Sequence, residues 1–193
     1  MKFEPWIETY SGKKFNFLEP SADDIDIIDI AHSLSMQCRF TGHTVAFYSV
    51  AEHSTICSVL VSKEKALEAL LHDASEAYLS DIAGPLKPHI KGYKEIEDKL
   101  MKVIADKFDF EWPLSYEVHE ADRLQLKTEA QYLLASHGKD WINAIDTGTR
   151  MGRIPKCFLP PEAKYVFLSR YDELTGRSQQ LELFDAVGTS SVH

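Results

Sequence analysis

Apolar residues recur at helical spacing in six stretches of this chain and fall into two short strand-like clusters only near its start. Trp6, Ile7 and Tyr10, then Phe15, Phe17 and Leu18, flank Ser11-Gly12, which predicts a β-hairpin. Ser21 to Asp24 supply N-cap candidates for a helix from about Ile25 to Met36, patterned by Ile27, Ile28, Ala31, Leu34 and Ser35. A second helix from about Tyr48 to Val61 carries Val50, Ile56, Cys57 and Leu60 on one side. In the run ALEALLHDASEAYLSDI, Leu67, Leu70, Leu71, Ala74 and Tyr78 lie at i, i+3, i+4, i+7 and i+11, one continuous apolar stripe down a third helix. Its opposite arc holds Ala69, His72, Asp73 and Glu76, and it leads to Asp81 and a rigid loop with Gly84, Pro85, Lys87 and Pro88. A fourth helix is predicted from Tyr93 to about Phe108, a fifth from a cap at Ser115 to about Ala135, and a sixth from Pro161 to about Leu174, ending before Gly176. Thr147 to Arg150 and Pro155 read as loops. The expected architecture is an all-α helical bundle with a short N-terminal β-hairpin, one domain over 1–185 and a flexible tail over 186–193.

Charge and composition narrow the setting. With 21 basic and 30 acidic side chains in 193 residues the formal charge is −9, which argues against a nucleic-acid polymer as partner and leaves room for a small phosphorylated metabolite. No signal-peptide segment and no run approaching about 18 apolar residues occurs, so a soluble protein of the cytoplasm with no membrane partner is expected. Cys38, Cys57 and Cys157 are widely spaced and odd in number, as reduced thiols are, and Cys57 reads as core.

Against that background three helices each carry a polar group where an apolar one is due. His53 lies in the stripe of the second helix, His72-Asp73 on the third, and Asp122 between Val118 and Leu126 on the fifth. Taken singly, each has a plain structural explanation: a histidine satisfied in the core, or an aspartate on a solvated rim or in a salt bridge. One metal centre explains all of them. Two imidazoles and two carboxylates suit Co²⁺, Mn²⁺, Fe²⁺, Ni²⁺ or Zn²⁺ better than Mg²⁺ or Ca²⁺. An ion with coordination to spare acidifies a bound water toward a pKa of about 7. The loop CRFTGHT sets Arg39, Phe40 and His43 around a glycine, a makeup suited to a phosphate and a ring.

The order His53 in SVAEHS, His72-Asp73 in LLHDASEAYLSDIAGPLK and Asp122 in HEADRLQLKTEA resembles the HD-domain phosphohydrolases, from Arg39 to Leu133. Within them it is most similar to bacterial 5'-deoxynucleotidases and phage dATP triphosphohydrolases. The resemblance implies that His53, His72, Asp73 and Asp122 hold the metal, that Glu76 donates a proton to the leaving nucleoside oxygen and that Asp81 orients the water. It also implies that Arg39 and Lys87 bind phosphate, His43 adding to them, and that Mg²⁺ can accompany the phosphates. The deoxynucleotidases typically have tryptophan where Phe40 stands, so deoxyribose selection by Phe40 is an expectation with a changed side chain. The implied reaction takes dATP, and dADP or dAMP, to deoxyadenosine plus triphosphate or a shorter phosphate, in a homo-oligomer (dimer or hexamer), for which a pocket bordered by the hairpin would suit an interface. The setting is the host cytoplasm if the chain is phage-encoded. Alternatives are a broad 5'-deoxynucleotidase on dNMPs, a signalling-nucleotide phosphohydrolase, a two-iron oxygenase drawing on His89 and His119, and a non-catalytic metal-stabilised binding module. Glu76 and Asp81, which the metal does not need, speak against the last.

Overall fold

A computed structural model of the chain describes residues 4–139, 147 and 150–177. The expected tail over 186–193 lies outside them, as does part of the loop around Thr147. Two strands, β1 (Trp6–Glu8) and β2 (Lys14–Asn16), pair antiparallel with Ile7 opposite Phe15. Seven α-helices follow among the described residues: α1 (Ile27–Met36), α2 (Val50–Leu60), α3 (Ala66–Leu70), α4 (Glu76–Leu79), α5 (Tyr93–Phe108), α6 (Tyr116–Leu133) and α7 (Pro160–Thr175). None is long and apolar enough to cross a membrane.

Local chemistry sets the boundaries. Asp26, not the earlier Ser21 to Asp24 cluster, caps α1, its carboxylate accepting from Ile28 N–H, while Ser21 caps a separate single turn. Ser49 caps α2 through Glu52 N–H. Gly176 closes α7 in the left-handed conformation that a residue without Cβ adopts freely.

The one continuous helix expected through His72-Asp73 is broken there. His72 Nδ1 donates to the carbonyl of Ala69 at 2.8 Å, the acceptor that Asp73 N–H would claim in an unbroken helix. The backbone tightens instead into i→i+3 bonds, Ala74 N–H to Leu71 and Glu76 N–H to Asp73. Leu70, Leu71, Ala74 and Tyr78 still reach the core, because such a turn keeps nearly the same facing as a helix. His72 and Asp73 therefore sit on a tight corner between α3 and α4 rather than along a helix face.

The larger of two buried clusters among the described residues gathers Phe15 from the hairpin, Ile30 and Leu34 from α1, Leu70 from α3, Tyr78 from α4, Ile104 from α5 and Phe167 from α7; Cys57, Ala69 and Val118 form the smaller one. Phe15 stacks on Tyr78 at 4.2 Å between ring centres. α2 lies against α3, α6 and α7 at its centre.

A strap fixes α2 against α6. The buried Glu52 carboxylate accepts three consecutive N–H groups, from Lys156 (2.6 Å), Cys157 (3.1 Å) and Phe158 (2.8 Å), a convergence helped by the φ of 60° at Cys157. On α6, Gln125 holds both Arg153 backbone groups and Thr128 accepts from Gly152 N–H. A Cβ at Gly152 would stand 2.3 Å from Gln125 Oε1, so a larger residue there would displace the Gln125 amide that holds Arg153. Glu52→Gln swaps a charged acceptor for an amide whose NH₂ faces an N–H. At least one buried donor is orphaned at about 1–3 kcal/mol, and thermal melting should fall by about 2–4 °C per kcal/mol; an unchanged melt removes the strap from this role.

Candidate metal and phosphate site

Four side chains from three parts of the chain converge where α2, the α3–α4 corner and α6 meet. His53 Nε2 is 3.2 Å from His72 Nε2 and 3.2 Å from Asp122 Oδ1. Asp73 Oδ2 is 3.3 Å from His72 Nε2 and 3.7 Å from His53 Nε2, and His72 Nε2 is 3.9 Å from Asp122 Oδ1. The tautomers follow from the partners behind the rings. Glu129 and the Ala69 carbonyl only accept, so His53 Nδ1 (2.6 Å from Glu129 Oε1) and His72 Nδ1 each carry the proton. Both Nε2 lone pairs then face one another across 3.2 Å between two carboxylates, an arrangement that could hold a cation. Donors about 2.1 Å from one ion, at angles of 90–120°, stand roughly 3.0–3.6 Å apart; the 3.2, 3.2 and 3.3 Å separations here fall in that range, and those of 3.7 and 3.9 Å lie just beyond it.

Without the metal, a proton takes that place. Burial and Arg39 push His53 toward neutrality, but the acids beside it, Glu129 and Asp122 among them, outweigh them and raise its pKa well above the ordinary imidazole value. Asp122 is held low against its burial by the hydrogen bond and charge of His53, then by His72 and Arg39.

Two residues here were not assigned from the sequence. Cys57, one helical turn beyond His53 and read as core, has its Sγ 3.6 Å from His53 Nε2. His53, Cys57, His72 and Asp122 offer donor atoms all within 4.8 Å of one another. Burial raises the Cys57 thiol to about 11, so without a cation it stays protonated. Glu129, two turns after Asp122 on α6, is completely buried and accepts from His53, from Tyr48 Oη (2.7 Å) and from Arg39 Nε (3.0 Å). Burial opposes its charge, and Arg39 with His53 nevertheless hold it at about 2. Its position at i+7 from Asp122 was the available signal.

Beside the cluster opens a cavity of about 770 Å³, within the range of small-molecule sites, lined by Arg39, Phe40, His43, Asp81, Pro85 and Leu126 among others. Arg39 Nη1 lies 3.5 Å from Asp73 Oδ2. Backbone strain gathers at this cavity: Phe40 (φ 54°) and Thr41 (φ 56°) in one wall, and Ser80 (φ 69°) next to the lining residue Asp81, hold positive φ without being glycine. Gln37 supports that second wall, accepting from Asp81 N–H at 2.8 Å and donating to the Glu76 carbonyl at 2.9 Å. Nothing in the local pattern marked Gln37. Ile7 and Tyr10 of the hairpin border a separate cavity of about 360 Å³ against α1.

Glu76 is buried, with Oε1 3.0 Å from Lys87 Nζ and Oε2 without a hydrogen-bond partner among the described residues. Burial first, then Asp73, raises its pKa well above the carboxylate range despite Lys87. Lys87 also bonds Glu97 at 2.8 Å, so the expected phosphate-binding cation is held between two acids at the edge of the site. Burial likewise raises Asp81, against the pull of Arg39. His89 and His119 are exposed and outside the donor group.

No protein-family model matches the chain. It is similar to the uncharacterized protein YfdR of Escherichia coli (strain K12), 42% identical over 88% of this chain and 96% of that protein. It is also similar to the uncharacterized protein RCAP_rcc00048 of Rhodobacter capsulatus, 31% identical over 88% of this chain and 95% of that one.

Proposed function

We propose that this chain, which belongs to the family of YfdR and its Rhodobacter capsulatus relative, is a metal-dependent phosphohydrolase of the HD-domain kind that removes phosphate from deoxynucleoside 5'-phosphates. The observation that carries the reading is the pair of inward-facing Nε2 atoms 3.2 Å apart, flanked by Asp73 and Asp122. A divalent ion bound by His53, His72, Asp73 and Asp122 would supply an acidified water and positive charge for the phosphoryl group. Co²⁺, Mn²⁺, Fe²⁺, Ni²⁺ and Zn²⁺ suit the mixed donor set, and the Cys57 thiol leans it toward the softer of these.

The chain's own groups divide the remaining work. Arg39, its Nη1 beside Asp73 and its guanidinium on the cavity wall, offers a planar fork to phosphate oxygens. As water attacks, an O–P bond forms and the bond from phosphorus to the 5'-oxygen breaks. Glu76 delivers its proton to that leaving oxygen, and Asp81 takes the proton that the water gives up. Lys87 fixes Glu76 from behind. Phe40, Pro85, Leu126 and Leu134 give the sugar and base an apolar enclosure. On the likeness to phage enzymes, the substrate is dATP, with dADP and dAMP, giving deoxyadenosine and the corresponding phosphate.

A panel of dATP, dADP, dAMP, AMP, a guanosine polyphosphate and a cyclic nucleotide, each with Co²⁺, Mn²⁺ or Mg²⁺, tests this. Release of triphosphate, pyrophosphate or phosphate is expected from the deoxyadenine nucleotides, with AMP poorer and the gap narrowed in Phe40→Ala. A metal-loaded protein that releases nothing from any nucleotide overturns the reading.

A further inference from the structure

Glu129 does something the cation cluster alone does not require. Its two oxygens serve two different halves of the site: Oε1 accepts from His53 Nδ1 at 2.6 Å, and Oε2 accepts from Arg39 Nε at 3.0 Å. Both partners are nearly enclosed, His53 at 0% and Arg39 at 11% side-chain exposure, so neither can swap Glu129 for water. Tyr48 Oη, also buried, adds a third bond at 2.7 Å, and α6 holds Glu129 two turns from Asp122.

We propose that Glu129 is a positioning residue that couples metal binding to phosphate binding, resting on the reading of His53 as a metal ligand. The carboxylate behind Nδ1 fixes the tautomer that turns Nε2 inward and makes that nitrogen a stronger donor. The same carboxylate compensates the guanidinium of Arg39 and takes up its Nε, leaving the Nη edge directed toward Asp73 and the cavity. A single side chain thereby sets the orientation of both, so a change at Glu129 reaches both at once.

Glu129→Gln keeps the shape and removes the charge, and the experiment reads two affinities on the intact chain. Calorimetric titration with Co²⁺ or Mn²⁺ should show metal affinity lowered by about 10–100-fold, and inorganic phosphate titrated into the saturated protein should bind more weakly in the same variant. Arg39→Gln should weaken phosphate alone, and Tyr48→Phe should move neither appreciably. A purely structural role would lower the melting temperature and leave both affinities in place, which overturns the proposal. If Glu129→Gln does not fold, Glu129→Asp is measured instead: one methylene shorter, it cannot reach both partners as Glu129 does, so loss of both affinities together supports the coupling and retention of either overturns it. A wild-type chain that takes up no divalent ion would sink the metal reading itself, a result distinct from wild type and variant binding alike.

Discussion

Glu76→Gln is expected to cut turnover by about 10²–10⁴-fold, the range that a positioned acid or base contributes, while metal content and melting temperature stay close to wild type. One oxygen of Glu76 is held by Lys87 and the other is buried without a partner among the described residues, a setting that tolerates a neutral carboxyl far better than an anion. Burial is the largest cause of its raised pKa, with Asp73 next and Lys87 opposing. The acid therefore keeps its proton at a pH where an ordinary glutamate, near 4.3, has lost it, which is what the leaving 5'-oxygen needs.

The sign for stability follows from the same shift. Between the unfolded and the raised folded value the native state holds the extra proton, so the contribution of Glu76 is fully present below the unfolded pKa and is lost as pH rises through the folded one. Glutamine, always neutral, escapes that loss and should be no less stable than wild type at pH 7–8. In kinetics, wild type should lose kcat as pH rises through the raised pKa, and the residual rate of Glu76→Gln should lack that limb. Unchanged turnover in the variant, or turnover lost together with the metal, would remove Glu76 from the acid role.

Long periodic segments were legible from side-chain pattern alone: α5 spans Tyr93–Phe108, the stretch its apolar spacing marks, and the hairpin forms around Ser11-Gly12. The corner at His72-Asp73 was not, because Leu70, Leu71, Ala74 and Tyr78 point to the core in a helix and in an i→i+3 turn alike. What separates the two is a side-chain bond, His72 to the Ala69 carbonyl, which periodicity does not encode. The four candidate ligands stood out as polar residues in apolar surroundings, and they converge. Cys57 was missed by the same logic, since a thiol passes for an apolar residue until a partner such as His53 Nε2 stands 3.6 Å away. Glu52 and Gln37 act on segments 104 and 44 residues distant in sequence, beyond any local pattern.

His72→Ala should cost both metal and function, and the comparison with chelated wild type tells why. The imidazole is one of the two nitrogens facing the cation position, and its removal leaves Asp73 and Asp122 with His53 as the one remaining nitrogen donor of the pair. Breaking a buried charge cluster by removing one partner costs about 3–5 kcal/mol. The partial exposure of Asp73 and Asp122, 20% and 36% for their side chains, places the expected loss below that range. Metal linkage adds to it: an ion at a hundred times its Kd stabilises the folded state by about 2.7 kcal/mol, and a variant that cannot bind forfeits all of that. Wild type should therefore melt higher with Co²⁺ or Mn²⁺ than after chelation, His72→Ala should melt at one temperature in both conditions, and its phosphate release should match that of chelated wild type. The corner makes a second demand: without the Nδ1 donor the Ala69 carbonyl is free to accept Asp73 N–H again, so α3 can extend and carry Asp73 out of register with His53. His72→Gln tests that step, since its amide can donate to Ala69 yet offers no imidazole nitrogen to a metal. Restored metal-free stability with metal binding still absent separates the two roles of His72, whereas a metal-dependent rise in melting temperature that survives in His72→Ala would place the ion elsewhere and end the account of this cluster.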